Sequence, residues 1–290
     1  MKQILITGAN SYIGTSLESW LAKYPGKYSV DTIDMESDSW RDKDFSSYDV
    51  VFHVAAVVHV KEKNIEKYFK VNRDLAIEVA QKAKQEGVKQ FIFPSTMGVY
   101  GVETGYITKD IMPNPKTAYA KSKLEAEKKL LILNDEKFKV AILRPPIVYG
   151  RGCKGNYLRL VKLALRMPVF PEISNKRSMI YIDNLCEFIR LLIDNCSSGI
   201  FFPQNKEYVN ITELVKLIRK FHGKGTNTTK IFNLGIKVGL IFFKTFRKVF
   251  GSFVYDKGMP GGPEYMIDGQ SINYEVVSFE KSIKYTERIV

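Results

Sequence analysis

The sequence of 290 residues contains few of the residues that disulfide and metal sites require. Three cysteines are odd in number and show no CxxC spacing, and only three histidines are present. Disulfide frameworks need paired cysteines, and structural zinc sites need four clustered ligands. We therefore predict no disulfide framework and no metal site, and the composition is typical of a reducing cytosol. The residues in question are Cys153, Cys186, Cys196, His53, His59 and His222.

Long hydrophobic runs and an apolar leader are also lacking. Met1-Lys2-Gln3 runs directly into a strand-like apolar stretch, so we predict no signal peptide and a cytoplasmic protein. The most apolar segment, residues 231–250, has an uncharged run of only residues 238–243, far below the ~20 residues that span a bilayer. We interpret it as a core helix. A basic amphipathic element that rests on the inner face of an anionic membrane is the alternative.

Acidic residues are scarce relative to basic ones. Lysine and arginine number 44 against 31 for aspartate and glutamate, which gives a net charge of +13. Such a surface favours an anionic partner, namely a nucleotide, a nucleic acid or a membrane face, although it can equally serve solubility alone. No basic block interleaved with aromatic residues is present, so we predict no nucleic-acid partner.

The first local signal is a glycine turn between a strand and a helix. An apolar run at residues 2–7 is followed by Gly8-Ala9-Asn10-Ser11-Tyr12-Ile13-Gly14 and a helix-like segment. Such a turn lets the backbone approach a pyrophosphate, and the helix N-terminus presents free N–H groups to the anion. A full dinucleotide fingerprint has a glycine where Ser11 stands, but a serine is small and can donate a hydrogen bond to phosphate. An ordinary strand-to-helix turn is the alternative.

An acidic residue follows the second apolar run, residues 28–33. Asp34 lies about twenty residues after the glycine turn, where a carboxylate can accept both hydroxyls of an adenosine ribose and repel a 2′-phosphate. Glu36 adds to this repulsion. The pair therefore favours NAD over NADP, the alternative being an acidic residue that merely ends a strand.

Three further apolar runs predict strands at residues 49–56, 89–94 and 138–143. The first ends in the small residues Ala55 and Ala56, which would let a cofactor lie close over the sheet. Helical segments separate the strands. The sequence therefore predicts an α/β protein with a Rossmann-type, doubly wound parallel sheet.

Polar side chains accompany these elements at two places. Ser95 and Thr96 come directly after the fourth strand, at the carboxyl end where ligands bind in open α/β sheets. Asn72 lies within a long helical segment, residues 65–86, and either ties two strands together through its amide or faces solvent.

The main chemical signal is a tyrosine and a lysine on one helix. Residues 117–131 are rich in Ala, Lys, Glu and Leu, which is typical of a helix, and Tyr119 and Lys123 lie one turn apart on one face of it. A cation beside a phenol favours the phenolate, so the tyrosine can release and recover a proton near neutral pH. An exposed helix with one aromatic residue and scattered lysines is the alternative.

The order of these signals resembles the extended short-chain dehydrogenase/reductase family, which contains nucleotide-sugar epimerases and dehydratases. The resemblance extends over essentially the whole chain. It implies an NAD-binding Rossmann domain at residues 1–150 and a smaller substrate-binding lobe at residues 151–290, between which the chain can cross. The residues that carry it are the glycine turn, Asp34, His53-Val54-Ala55-Ala56, Ser95-Thr96, Tyr119, Lys123 and Arg144-Pro145-Pro146.

The resemblance also implies a role for each residue. Tyr119 would be the acid and base at a sugar oxygen, Lys123 would lower its pKa and hold the nicotinamide ribose, and Thr96 would hydrogen bond the same oxygen. Asn156 and Arg177 would contact the sugar nucleotide, the arginine at its diphosphate. The implied NAD contacts are Gly8, Asn10, Ser11, Tyr12, Ile13, Gly14, Asp34, Ala55, Ala56, Ser95, Tyr119, Lys123 and Pro146.

The implied activity is hydride transfer at C4 of a UDP-hexose. Residues 144–157 and 168–185 most resemble a bacterial subgroup that serves capsule and O-antigen polysaccharide synthesis, with UDP-glucose 4-epimerases and UDP-4-keto-6-deoxy-(N-acetyl)hexosamine 4-ketoreductases. Asp34 favours the epimerase, which retains NAD. Ile147 favours the reductase because many hexose 4-epimerases carry asparagine there. A homodimer stays open, and a non-catalytic dinucleotide sensor is the third alternative.

Overall fold

The computed structural model of the chain describes residues 1–58, 64–263, 265–267 and 269–287, without the side chains of Lys237 and Thr245. His59, one of the histidines considered above, lies outside the described residues. The strands are β1 (Lys2–Thr7), β2 (Tyr28–Ile33), β3 (Val50–His53), β4 (Gln90–Pro94), β5 (Gly105–Ile107), β6 (Lys139–Leu143), β7 (Ile147–Tyr149), β8 (Phe170–Pro171), β9 (Met179–Tyr181), β10 (Gly199–Phe201), β11 (Thr228–Thr229), β12 (Phe253–Tyr255), β13 (Tyr265–Ile267) and β14 (Gln270–Ile272).

Helices connect most of these strands. The α-helices are α1 (Tyr12–Leu21), α2 (Ile65–Phe69), α3 (Leu75–Gln85), α4 (Ala118–Ile132), α5 (Asn156–Arg166), α6 (Ile182–Asp194), α7 (Ile211–Phe221), α8 (Asn233–Phe242), α9 (Lys244–Phe250) and α10 (Phe279–Thr286). Short 3₁₀ turns lie at Asp38–Arg41 and Met97–Tyr100, and a π-helical turn at Lys70–Asp74 joins α2 to α3. Among the described residues, no helix is long and apolar enough to cross a membrane.

Six strands form a parallel sheet in the order β10-β6-β4-β3-β1-β2. Strands β3 and β4 are buried along their whole length, as their continuous apolar sequences predict for the inside of a parallel sheet. Strand β2 lies at an edge and is partly exposed. This arrangement confirms the predicted doubly wound α/β fold.

One hydrophobic core holds α3 and α4 to this sheet. Phe91 and Phe93 of β4 and Val51 of β3 belong to the same buried cluster as Ala80 of α3 and Leu130 of α4. Because this cluster is closely packed, small changes in it are costly. The packing therefore fixes where α4 places its polar side chains.

The described chain divides into two compact units. The first contains Met1–Gly101, Met112–Pro145 and Cys186–Phe202, and the second contains Val102–Ile111, Pro146–Leu185 and Pro203–Val290. The chain crosses between these units, since Gly199–Phe201 pairs with β6 as the sixth strand of the first unit's sheet.

The apolar segment at residues 231–250 does not form the buried core helix that we expected. It forms α8 and α9 in the second unit, and most of its large apolar side chains are exposed, including Leu234, Ile241 and Phe242. Of the large apolar side chains that the structure describes in this segment, Ile236 alone is buried. The expectation was wrong because α8 packs through the side that contains Ile236 and Gly239, which leaves the side with most of its large apolar residues exposed.

The carboxyl ends of β1 and β3 meet at the point where the strand order reverses direction. Gly8 follows β1 with a φ of +113°, and a Cβ there would lie 2.6 Å from the amide nitrogen of Ala55, two residues after the end of β3. Only glycine fits, because both the backbone conformation and the space exclude a side chain. Such a switch point is where open α/β sheets bind ligands.

We predict that Gly8→Ala destabilises the protein by about 2–4 kcal/mol, because the methyl group adds a clash to the cost of a left-handed conformation. The matched control is Gly26→Ala, since Gly26 has a φ of +78° but nothing within 4 Å of its Cβ position. The control variant should lose only about 1 kcal/mol. Urea unfolding of both variants measures the difference, and equal losses would contradict the close approach of β1 and β3.

Candidate active site

The turn after β1 forms a cradle at the N-terminus of α1. Ser11 is the N-cap of α1, and its Oγ accepts a hydrogen bond of 3.2 Å from the amide of Gly14. The hydroxyl proton of Ser11 is not used in that bond and can be donated to another acceptor. Asn10 adopts a left-handed φ of +62°, which Asn tolerates better than most residues. The cradle therefore offers a glycine surface, amide groups and a hydroxyl to an anion.

Gly14 has no side chain at the point where the first turn of α1 meets the cradle. A Cβ at Gly14 would lie 2.4 Å from the Oγ of Ser11 and 3.1 Å from the side chain of Val54. Tyr12 and Ile13, the first two residues of α1, are partly buried beside it. The predicted pyrophosphate contacts thus lie in one turn.

Asp34 lies directly after β2, at the same edge of the sheet. Its carboxylate is exposed and accepts a hydrogen bond of 3.1 Å from the amide of Glu36. The amide of Gly8 donates to the carbonyl oxygen of Ile33, so the ends of β1 and β2 are tied together. Ala55 and Ala56 follow β3 and are partly buried. The cradle, which a side chain at Gly8 or Gly14 would fill, fits a pyrophosphate. The nearby exposed carboxylate of Asp34 fits the ribose of the same adenosine diphosphate.

Helix α4 brings the tyrosine and the lysine to this unit. Thr117 caps the helix, with its Oγ1 accepting a bond of 3.2 Å from the amide of Ala120. The buried side of α4 contains Ala120, Lys123 and Glu127, whereas Lys121 is exposed. Tyr119 and Lys123 thus belong to the side of the helix that faces the protein, as their spacing predicts.

The Tyr119 hydroxyl lies beside the Thr96 side chain, and their shared contact with one sugar oxygen stays a prediction. Burial raises the pKa of Tyr119 to about 12, and a hydrogen bond with the Thr96 side chain opposes this rise. The Thr96 Oγ1 also accepts a bond of 3.0 Å from the amide of Gly98, which fixes its position at the start of a 3₁₀ turn. The ring of Tyr68 packs edge-on against Tyr119, with centroids 6.4 Å apart.

Lys123 does not act on Tyr119 in the way that we expected. Its Nζ donates a bond of 2.8 Å to the carbonyl oxygen of Pro94 and lies 4.2 Å above the Phe93 ring. Burial lowers the pKa of Lys123 to about 7, although Glu127 raises it. Burial raises the pKa of Tyr119 in this structure while the ammonium group is directed to the end of β4, so the lowering of the Tyr119 pKa by Lys123 stays a prediction for the filled site.

A buried ion pair anchors α4 one turn after Lys123. Glu127 is 1% exposed and receives hydrogen bonds from the Nε and Nη2 of Arg144, which follows β6. The Ser95 hydroxyl donates to the same carboxylate, and the Nη1 of Arg144 donates to the Tyr100 hydroxyl. The hydroxyl of Ser95 is thus engaged with Glu127, which differs from the cofactor contact that we expected. The role of Glu127 was missed, although its spacing of four from Lys123 places it on the same helix face.

Asn72 joins the loop after β3 to α4. It is fully buried in the π-helical turn, where its Oδ1 accepts a bond of 2.8 Å from the Val57 amide. Its Nδ2 donates to the Val57 carbonyl oxygen and to the Ser122 Oγ. The amide therefore ties a loop to a helix, where a link between two strands or a solvent-facing position was predicted.

The remaining predicted site residues lie in the second unit. Asn156 is exposed at the start of α5, and Pro146 is buried just before β7. Arg177 is 5% exposed, and its Nη2 donates to the carbonyl oxygens of Arg247 and Lys248 at the end of α9. Burial lowers the pKa of Arg177 to about 10, and its Nε has no hydrogen-bond partner among the described residues. Arg177 thus stabilises a helix C-terminus while carrying a buried charge.

We predict that Glu127→Gln destabilises the protein by about 3–5 kcal/mol, because it leaves the buried Arg144 guanidinium without a countercharge. The matched control is Glu125→Gln on the same helix. Glu125 forms a 2.7 Å ion pair with Arg73, but both side chains are partly exposed. That variant should lose less than about 1 kcal/mol. Similar losses in urea unfolding would show that the buried pair does not anchor α4.

Lys123 should make stability depend on pH. Its pKa is about 7 in the folded chain and roughly 10.4 in the unfolded chain. Between these values the unfolded chain binds the proton and the folded chain does not, so the free energy of unfolding rises with pH, by up to about 1.4 kcal/mol per unit. Below about pH 7 both states are protonated and the contribution is at its lowest.

Lys123→Met should remove this dependence, and Lys121→Met, an exposed change on the same helix, should keep it. Urea unfolding of nucleotide-free protein at a series of pH values measures both. A difference between wild type and Lys123→Met that stays constant through that range would contradict the buried, weakly basic lysine.

Comparisons with known proteins identify the family of the chain. The model of the NAD dependent epimerase/dehydratase family matches residues 4–211. The chain is 30% identical over 279 residues to a UDP-glucose 4-epimerase of Vibrio cholerae, covering 86% of this chain and 83% of that protein. It is 24% identical over 261 residues to an N-acetyl-alpha-D-glucosaminyl-diphospho-ditrans,octacis-undecaprenol 4-epimerase of Escherichia coli O157:H7, covering 82% and 78% of the two chains.

Solved structures share the fold. A UDP-glucuronic acid 4-epimerase from Bacillus cereus in complex with NAD superposes with a TM-score of 0.70 at 20% identity, over 98% of this chain and 97% of that one. This likeness confirms the predicted fold, and the family match confirms the predicted cofactor class. The chain therefore belongs to the NAD dependent epimerase/dehydratase family and is an NAD-dependent enzyme.

Proposed function

We propose that the protein is a 4-epimerase of a UDP-hexose, similar to UDP-glucose 4-epimerase. The observation that carries the proposal is the juxtaposition of the Tyr119 and Thr96 side chains at the carboxyl end of the sheet, with Lys123 one turn along the helix. Two neighbouring hydroxyls can both contact one sugar oxygen. The similarity to a UDP-glucose 4-epimerase supports this substrate class.

The chain's own residues perform the proton transfer. NAD, when bound, supplies the group that takes and returns the C4 hydride. Tyr119 is protonated at neutral pH in this structure, so it can give its proton to a C4 oxygen when the hydride returns. Thr96 fixes the phenol and can donate to the same oxygen. In the oxidative direction Tyr119 must accept the hydroxyl proton, which requires that its pKa fall once the site is filled.

The cofactor contacts favour NAD over NADP. Asp34 is exposed at the end of β2 and can accept the hydroxyls of a ribose, and the exposed carboxylate of Glu36 follows it. A 2′-phosphate would meet two negative charges there. Gly8, Ser11 and Gly14 would hold the pyrophosphate, and Lys123 would contact the nicotinamide ribose.

Asn156 and Arg177 are the proposed contacts of the sugar nucleotide. The buried guanidinium of Arg177 is directed to backbone carbonyl oxygens, so a diphosphate would provide the full countercharge that it lacks there. We place the reaction in the cytoplasm, in the synthesis of a surface polysaccharide, because three cysteines without CxxC spacing are typical of a protein from a reducing compartment. A homodimer stays a prediction.

A second candidate is a 4-ketoreductase of a UDP-4-keto-6-deoxy-(N-acetyl)hexosamine. Ile147 favours it, because many hexose 4-epimerases carry asparagine at this position. A non-catalytic dinucleotide sensor ranks behind both candidates, since a sensor has no need for the Tyr119–Thr96 pair.

One experiment distinguishes the three. The protein is purified by gel filtration, its bound nucleotide is measured by mass spectrometry, and it is mixed with UDP-glucose or with a UDP-4-keto-6-deoxy sugar. We expect retained NAD and conversion of UDP-glucose to UDP-galactose, measured by anion-exchange chromatography. Consumption of NAD(P)H with the keto sugar alone would identify the reductase, and bound nucleotide with neither reaction would identify the sensor.

In the same assay Tyr119→Phe should lose about 10²–10⁴-fold of turnover while keeping its nucleotide, because it removes the transferable proton. Tyr68→Phe is the matched control, since this neighbouring ring packs on Tyr119 and has no part in the proposed proton transfer. Full turnover in Tyr119→Phe would remove Tyr119 from the mechanism.

A further inference from the structure

Helix α8 exposes most of its large apolar side chains to solvent. Leu234, Val238 and Ile241 recur at intervals of four and three residues, which places them on one side of the helix, and Phe242 is beside them. Leu234 is 76% exposed and Phe242 71% exposed. A helix on a protein surface normally turns such a stripe towards the core. The apolar face consists of Ile231, Leu234, Val238, Ile241 and Phe242.

The orientation of this face is fixed by packing on the opposite side. A Cβ at Gly239 would lie 2.5 Å from the ring of Phe246, so α8 and α9 approach closely at this glycine. The Nη1 of Arg247 donates a bond of 2.9 Å to the carbonyl oxygen of Ile241 and caps the end of α8. Ile236 is buried. The apolar face is therefore held outwards by specific contacts.

Positive charge surrounds the apolar face. Residues 214–255 contain nine lysines and arginines and no aspartate or glutamate. The side chains of Lys230, Lys244 and Lys248 are 76%, 64% and 60% exposed. Lys244, Lys248 and Arg247 share the single carboxylate of Glu103, so the charge around the helix pair stays positive.

We infer that the apolar face docks on an anionic phospholipid bilayer, with α8 lying in the plane of the interface. A helix of ten residues is about 15 Å long, and exposed apolar side chains rimmed by lysines are the combination that interfacial helices use. A second copy of the chain fits this face less well, because a two-fold interface would bring the same cations together, with only Glu103 and Glu172 paired to them. The inference does not depend on the proposed reaction.

The test is flotation of the full chain with vesicles. We expect binding to vesicles of mixed phosphatidylglycerol and phosphatidylcholine, weaker binding to phosphatidylcholine alone, and release by high salt. Ile241→Glu and Phe242→Glu should each weaken the partition roughly tenfold or more, because each removes a large apolar side chain from the interface. Lys244→Gln combined with Lys248→Gln should weaken it only on the anionic vesicles.

The matched control is Ile132→Glu. Ile132 is 74% exposed, close to the 69% of Ile241, but lies at the end of α4, away from the basic segment in sequence. It should bind vesicles as wild type does, and circular dichroism should show equal melting temperatures for all these variants. Absence of vesicle binding, equal loss in Ile132→Glu, or a dimer in sedimentation that Phe242→Glu dissociates without any lipid binding would each overturn the inference.

Discussion

The buried ion pair between Glu127 and Arg144 is the interaction on which the geometry of the site depends. Removing two charges from water is costly, and close hydrogen bonds to every available group are needed to offset it. The Glu127 carboxylate meets this demand by accepting hydrogen bonds from the Arg144 guanidinium and the Ser95 hydroxyl. These three residues lie on α4, after β6 and after β4. The same bonds set α4 against the ends of β4 and β6. Lys123 lies one turn before Glu127 and Thr96 follows Ser95, so the pair also fixes both of these groups.

The sequence predicts the fold well where the signal is local. The apolar runs that become β1, β2, β3, β4 and β6 are each followed by a helical or turn segment, and parallel order follows from that alternation. Strand β10 has only three residues and joins the sheet from a distant part of the chain, so no local pattern indicates its partner. Ser95 and Thr96 show the same limit at the site. Neighbouring residues on an extended backbone point to opposite sides, and the sequence does not tell which side faces Glu127 and which faces Tyr119.

The apolar segment at residues 231–250 shows a different limit. Hydrophobic periodicity predicts that a helix has an apolar side, but it does not tell whether that side is covered. In α8 the covered side is determined by Gly239, whose lack of a side chain admits the Phe246 ring. Packing at one small residue therefore turns the larger apolar residues outwards. The same contact joins α8 to α9 and makes the two helices one unit.

Arg177 relates this helix pair to the proposed substrate. Its guanidinium donates to the carbonyl oxygens of Arg247 and Lys248, while Arg247 in turn caps the end of α8. A helix C-terminus carries only about half a negative charge, whereas a diphosphate carries full charges and accepts bidentate bonds. On the proposed function, the substrate would therefore compete with α9 for the same buried cation. Helices α8 and α9 and the proposed diphosphate contact would then be linked through the side chain of Arg177, so that a bound diphosphate would affect the position of α9.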